Sequence, residues 1–94
     1  EQELCDAAAR ADRTGLYVCP HTAVALAATE KLARAGTIAP SDRVVVVSTA
    51  NALKFTEFKV RYHERAIAGV RADLANAPLE LPANADAVER AILG

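Results

Sequence analysis

The sequence predicts an α/β architecture in the order helix, strand, helix, strand, helix. Three observations carry that expectation. Residues 44–47 are four consecutive valines, and an unbroken β-branched run implies a strand buried on both faces. Residues 16–19, LYVC, form a shorter β-prone run that Pro20 closes, because proline cannot donate a ladder hydrogen bond. Between them TAVALAATEKLARA, residues 22–35, is strongly helical and long enough to cross between parallel strands.

The elements follow in order. Leu4, Ala7, Ala8 and Ala11 recur at helical spacing over residues 1–13. Glu1 and Glu3 suit the positive end of that helix, Arg10 and Arg13 its negative end, and Gly15 its stop. In the second helix Val24, Ala25, Ala28 and Leu32 share one face, and Gly36 is the expected stop. Pro40, Ser41 and Asp42 mark a turn before the valines. Residues 53–65 read as a helix with Leu53, Phe55, Phe58 and Tyr62 as apolar contacts. Residues 66–82, with Pro78 and Pro82, read as an extended tail, and Asn84 or Asp86 caps a last helix ending at Leu93. The whole of 1–94 is expected to be one portion of a domain with no internal boundary.

Composition excludes several classes of function. The net charge of −1 and the lack of any Lys/Arg run argue against nucleic acid as a partner. Aromatic residues are 4% of the chain, too few for a base-stacking platform. No apolar run reaches the length of a membrane span. Cys5 and Cys19 lack CxxC spacing and read as free thiols, which points to a cytoplasmic location. With His21 and His63 they are too few, at these spacings, for a zinc site.

The valine run ends at once in Ser48, Thr49 and Asn51. In parallel sheets ligands gather outside the carboxyl ends of the strands, so Thr49 stands where a ligand contact belongs. Ser48 is expected on the opposite face, because side chains alternate along a strand. A second reading stays open: the hydroxyls only cap the segment that follows. His21, after Pro20 at the strand-to-helix turn, is read equally as a pocket residue or as a backbone-bonded helix start. Cys19 reads as a buried structural thiol, and His63 is given no role.

Two blocks, DRTGLYVCPHTAVALAATEKL and DRVVVVSTANALKFTEFKVRYHERAI, resemble the C-terminal part of plant-type threonine synthases. The resemblance covers roughly residues 4–94, nearly all of the chain. It implies a fragment of a fold type II, tryptophan-synthase-β-like domain, and a parent enzyme that is a pyridoxal-phosphate lyase. That enzyme converts O-phosphohomoserine and water to threonine and phosphate, with the cofactor as electron sink. Thr49 matches the hydroxyl that meets the cofactor's pyridine nitrogen, and Ser48, Asn51 and His21 are candidate pocket-lining residues.

The family's Schiff-base lysine, glycine-rich phosphate loop and substrate-phosphate pocket belong upstream. None of Lys31, Lys54 and Lys59 matches the lysine's motif, so no catalytic residue is assigned within the chain. Pyridoxal phosphate is not expected to be bound covalently to it, and the chain alone is expected to be inactive. The implied partners are the missing N-terminal part, an amino-acid substrate and further copies in a homo-oligomer. Ala23 stands where the family usually has Gly, and Asn51-Ala52 where it has His-Gly. Ala costs on the order of 1 kcal/mol if either Gly serves a positive φ. A stand-alone, non-catalytic interaction module, or a decayed copy of this enzyme region, is the alternative reading.

Overall fold

An alanine seam joins the first two helices. A computed structural model describes residues 1–94. It contains α1 (Gln2–Asp12), α2 (Pro20–Arg34), a 3-10 turn (Ala52–Lys54), α3 (Thr56–His63) and α4 (Ala85–Leu93). Ala8, Ala11 and Ala23 bury their methyl groups with Val18, and Leu4, Leu26 and Phe58 close over them. Small side chains let the two helix backbones come close. A second cluster, Cys5, Ala9, Tyr62 and Ala72, ties α1 to α3 and to the segment after it. Phe58 and Leu4 touch both clusters and make them continuous.

This core is small. Of 94 residues 14 are buried, most of them alanine, and each alanine methyl contributes only about 0.8 kcal/mol. The radius of gyration is 15.7 Å, against roughly 12 Å for a compact domain of this length. Val45 is 87% exposed and Val47 73%. On α4, Val88, Ile92 and Leu93 are exposed, with Leu79 and Leu81 in the segment before it.

The helix-strand-helix-strand-helix order does not hold, because the molecule has no strand. Residues 44–47 are neither buried on both faces nor backbone-bonded to anything. The 16–19 run makes one isolated antiparallel bridge, Val18 with Asn51. The reason is physical: a strand is completed only by a neighbouring strand, and nothing within these 94 residues supplies one. β-Propensity expresses fit to a pleated, half-buried surface, and here that surface is missing.

The helices follow local signals more closely. α2 begins at Pro20, which suits the first helical position because its missing N–H would have no partner there. It ends in a Schellman arrangement. The Gly36 N–H donates to Ala33 O, the Thr37 N–H to Leu32 O, and Gly36 takes φ +76°. The single helix expected over 53–65 is instead the 3-10 turn followed by α3. Asn84 caps α4, its side chain accepting the Ala87 N–H at 2.8 Å. Residues 66–82 contain no helix or strand; they turn at 67–69 and 73–74, and Ala72 is buried in the second cluster.

Candidate functional site

The polar end of the valine run meets the start of α2. Cys19 is the N-cap of that helix, and its sulfur accepts the Thr22 N–H at 3.4 Å. The Thr22 hydroxyl lies 3.3 Å from the same sulfur and 3.4 Å from Ser48 Oγ. Thr49 Oγ1 lies 3.9 Å from Cys19 Sγ. Ser48 also donates to Ala50 O at 3.5 Å. Four groups from two distant stretches thus share one corner.

The segment is fixed there by backbone. The Ala52 N–H donates to Tyr17 O at 3.1 Å, beside the Val18–Asn51 bridge. Asn51 Oδ1 accepts the Leu53 N–H at 2.9 Å and starts the 3-10 turn. A groove of about 580 Å³ opens alongside, lined among others by Tyr17, Thr22, Val46, Ser48 and Asn51.

Electrostatically the corner favours a negative sulfur. The Cys19 thiol is drawn down from the ordinary 9.0 to about 6. The Thr22 hydroxyl is the largest cause, then the Thr22 N–H, with the Thr49 hydroxyl and the His21 N–H assisting against burial. This is what the free N–H groups at a helix start do to a sulfur placed as their cap. Thr22 has one hydroxyl proton and two acceptors within reach, and a thiolate is the stronger of the two.

The four sequence-named residues fare differently. Ser48 and Thr49 do not point to opposite faces. Both reach atoms of the α2 cap, because an unpaired segment has no pleat to enforce alternation. Asn51 is close by but spends its oxygen on the 3-10 turn. His21 is exposed and packs edge-on against Phe55, ring centroids 5.9 Å apart, outside the hydroxyl cluster. Cys19 is fully buried, as expected, yet it is also the hub of the corner. Its position directly before a proline at a helix start was the signal for that.

Neither alanine replacement is strained. Arg65 is the one non-glycine residue with positive φ, so Ala23 and Ala52 carry no left-handed backbone, and both are fully buried.

A second polar cluster lies under the Tyr17 end of the site. Lys59 is buried, and its ammonium sits 2.7 Å from Asp12 Oδ1 and 4.9 Å from the centre of the Tyr17 ring. Burial, then the Asp12 charge, raises the Tyr17 phenol. His63 Nε2 is 3.5 Å from Asp12 Oδ2, an oxygen with no hydrogen-bond partner. The Asp12–Lys59 pair spans 47 residues, and no short-range pattern announces such a contact. Lys31 pairs with Glu3 at the surface, and Lys54 ends the 3-10 turn.

No family model matches the chain. Over 83 residues, 88% of its length, it is 52% identical to Threonine synthase 2, chloroplastic, of Arabidopsis thaliana. The matched stretch is 16% of that protein, so the chain is similar to a small part of a threonine synthase. The cytoplasmic location read from composition is thereby corrected, since this relative is a chloroplastic protein. Free thiols indicate a reducing surrounding and do not separate one such compartment from another. No helix is long and apolar enough to cross a membrane.

Proposed function

We propose that the chain is the C-terminal part of a pyridoxal-phosphate-dependent threonine synthase, and that Thr49 meets the pyridine nitrogen of its cofactor. Residues 1–94 are, on this reading, one continuous portion of a fold type II catalytic domain. The remainder of the protein supplies the Schiff-base lysine, the phosphate loop and the strands that pair with residues 44–47. The single observation that carries the assignment is the 52% identity over 83 residues to a threonine synthase; the place of Thr49 beside the Cys19 cap of α2 supports its role.

The donor set fits the group. Thr49 is exposed and held only at 3.9 Å by sulfur, so its hydroxyl is free to turn to a ring nitrogen. The hydrogen-bond partners within the corner are hydroxyls, sulfur and backbone, with no carboxylate among them. A neutral hydroxyl can accept from or donate to the nitrogen without imposing a fixed charge. When bound, pyridoxal phosphate supplies an electron sink for bond changes at the carbons of the substrate.

The chain's own residues then have distinct tasks. Thr49 binds and orients the ring. Cys19, which takes the Thr22 hydroxyl proton, fixes the α2 start against the 48–49 segment, and Ser48 Oγ lies 3.4 Å from the Thr22 oxygen. The Tyr17–Ala52 bond holds the segment in place. The decisive experiment uses the full-length protein. Threonine and phosphate are measured with O-phosphohomoserine as substrate, together with cofactor affinity, for wild type and Thr49→Val. Absence of both products from wild type rejects the synthase reading. Wild-type cofactor affinity in Thr49→Val rejects the role of the hydroxyl.

A further inference from the structure

Lys59 is the only charged residue of the chain that is buried, its side chain 4% exposed. An apolar side chain of similar length would fill that place on α3 at less cost, because a buried ion pair seldom adds to stability on balance. What the pair does supply is position. Asp12 of α1 takes the ammonium at 2.7 Å, and the Tyr17 ring lies over it, 4.9 Å from nitrogen to ring centre. The negative face of a ring holds a cation most strongly where water is kept out.

The same stretch of chain grips Tyr17 a second time. Ala52 opens the 3-10 turn and α3 follows that turn directly, so residues 52–59 are one continuous piece. One end of the piece gives the Ala52 N–H to Tyr17 O at 3.1 Å, and the other lays Lys59 against the Tyr17 ring. Residues 43–50 make no backbone hydrogen bond of their own. Their side-chain ties to the body are those of Ser48 and Thr49 at the α2 cap, at 3.4 and 3.9 Å. The Ala52–Tyr17 bond beside them is the shortest link between that stretch and the rest of the molecule.

We propose that Lys59 is a positioning residue for Thr49: held by Asp12, it fixes the Tyr17 ring, and Tyr17 holds Ala52 and with it the 48–51 segment at the edge of the cofactor. This rests on the reading of Thr49 as the contact to the ring nitrogen. Lys59 itself touches neither cofactor nor substrate. Without the ammonium, the partly exposed Tyr17 ring is no longer tied to α3, and the carbonyl that meets Ala52 is held from one side only.

Equilibrium titration of the full-length protein with pyridoxal phosphate tests the chain of contacts. The variants are Thr49→Val, the charge-free pair Asp12→Asn with Lys59→Met, and all three substitutions together. The charge-free pair should weaken binding by about three- to tenfold, as loss of a cation–ring contact in a partly dry place implies. Added to Thr49→Val, it should weaken binding no further, because nothing is left to position. Tyr17→Leu keeps the ion pair and removes the ring face. It should show the same loss and the same dependence on Thr49, and it carries the test if the charge-free pair does not fold. A loss of the same size with and without Thr49→Val overturns the inference, because it shows general loosening. Wild-type affinity in the folded charge-free pair or in Tyr17→Leu overturns it too, while weak binding by Thr49→Val leaves the role of Thr49 standing. Wild-type affinity in Thr49→Val rejects that role and this inference with it.

Discussion

Cys19 Sγ and Thr49 Oγ1 stand 3.9 Å apart although thirty residues separate them in the chain. That contact joins the cap of a helix to the end of an apolar run. A cap residue is among the better-fixed positions of a chain, because it satisfies N–H groups that have no intrahelical partner. Thr49 stands beside that cap, while its hydroxyl, held by nothing nearer than the sulfur at 3.9 Å, stays free to turn.

The sulfur makes the corner sensitive to pH. Below about 6 Cys19 holds its proton in the folded and unfolded chain alike, and its titration adds nothing to stability. Between about 6 and 9.0 the folded chain has released the proton and the unfolded chain has not, so the contribution grows with pH and is complete above 9.0. Cys19→Ser keeps a capping oxygen and does not titrate in this window. The melting temperature of wild type minus that of Cys19→Ser should rise from pH 6 to pH 9. A flat difference would show that Cys19 stays a thiol throughout.

Ser48 and Thr49 should separate in function although they are adjacent. Thr49→Val in the full-length protein should weaken cofactor binding by about tenfold, the loss of one hydrogen bond to a charged or strongly polar partner. Ser48→Ala leaves Thr22 its bond to Cys19 and should change affinity by less than about threefold. Equilibrium titration with pyridoxal phosphate reads both. The reverse order would place Ser48, not Thr49, against the ring.

The buried ion pair should be costly to break from one side. Lys59→Ala leaves the Asp12 carboxylate partly buried, with one oxygen already unpartnered, and should destabilise by about 3 kcal/mol. Asp12→Asn with Lys59→Met removes both charges and should recover much of that loss. Denaturant unfolding of the two variants measures the difference. Similar losses in both would mean that packing of the lysine stem, not charge, is what matters.

Arg65 is a site where stability can be raised. It occupies the position after the α3 cap with φ 61°, and the Arg65 and Ala66 N–H groups donate to Tyr62 O and Arg61 O. Gly36 holds the same place after α2. An L residue there costs about 1–2 kcal/mol, partly offset by the larger entropy that glycine loses on folding. Arg65→Gly should therefore raise stability by about 0.5–1 kcal/mol. An unchanged or lowered melting temperature would contradict the strained cap.

How much of this could be read from the residues follows the range of each interaction. α1, α2 and α4 were legible because propensity, spacing and caps such as Asn84 and Gly36 act within a few positions. The end of α3 was not marked, since Arg65 does the work of a glycine. Thr49 was named from the position of a hydroxyl after an apolar run, and the corner places it beside Cys19 as a cluster member. Cys19 was read as inert because its partners Thr22 and Thr49 come together only on folding. Asp12, Lys59 and His63 were missed for the same reason: Asp12 stands 47 positions from Lys59 and further still from His63. The strands failed differently, for the valines are right for a sheet that these residues do not contain.

That last point can be tested directly. Val45 and Val47 are largely exposed here, so Val45→Lys with Val47→Lys should cost the 94-residue chain less than about 1 kcal/mol, as surface changes do. If the remainder of the protein pairs with residues 44–47 from both sides, the same two lysines become charges in an apolar sheet. The full-length protein should then lose several kcal/mol, or fail to fold, because an unpaired buried charge is among the most expensive changes available. Soluble yield and thermal melting of both lengths, with and without the substitutions, decide it. A full-length protein that tolerates the lysines as well as the short chain would leave the valines at the surface and remove the central strand from the proposed fold.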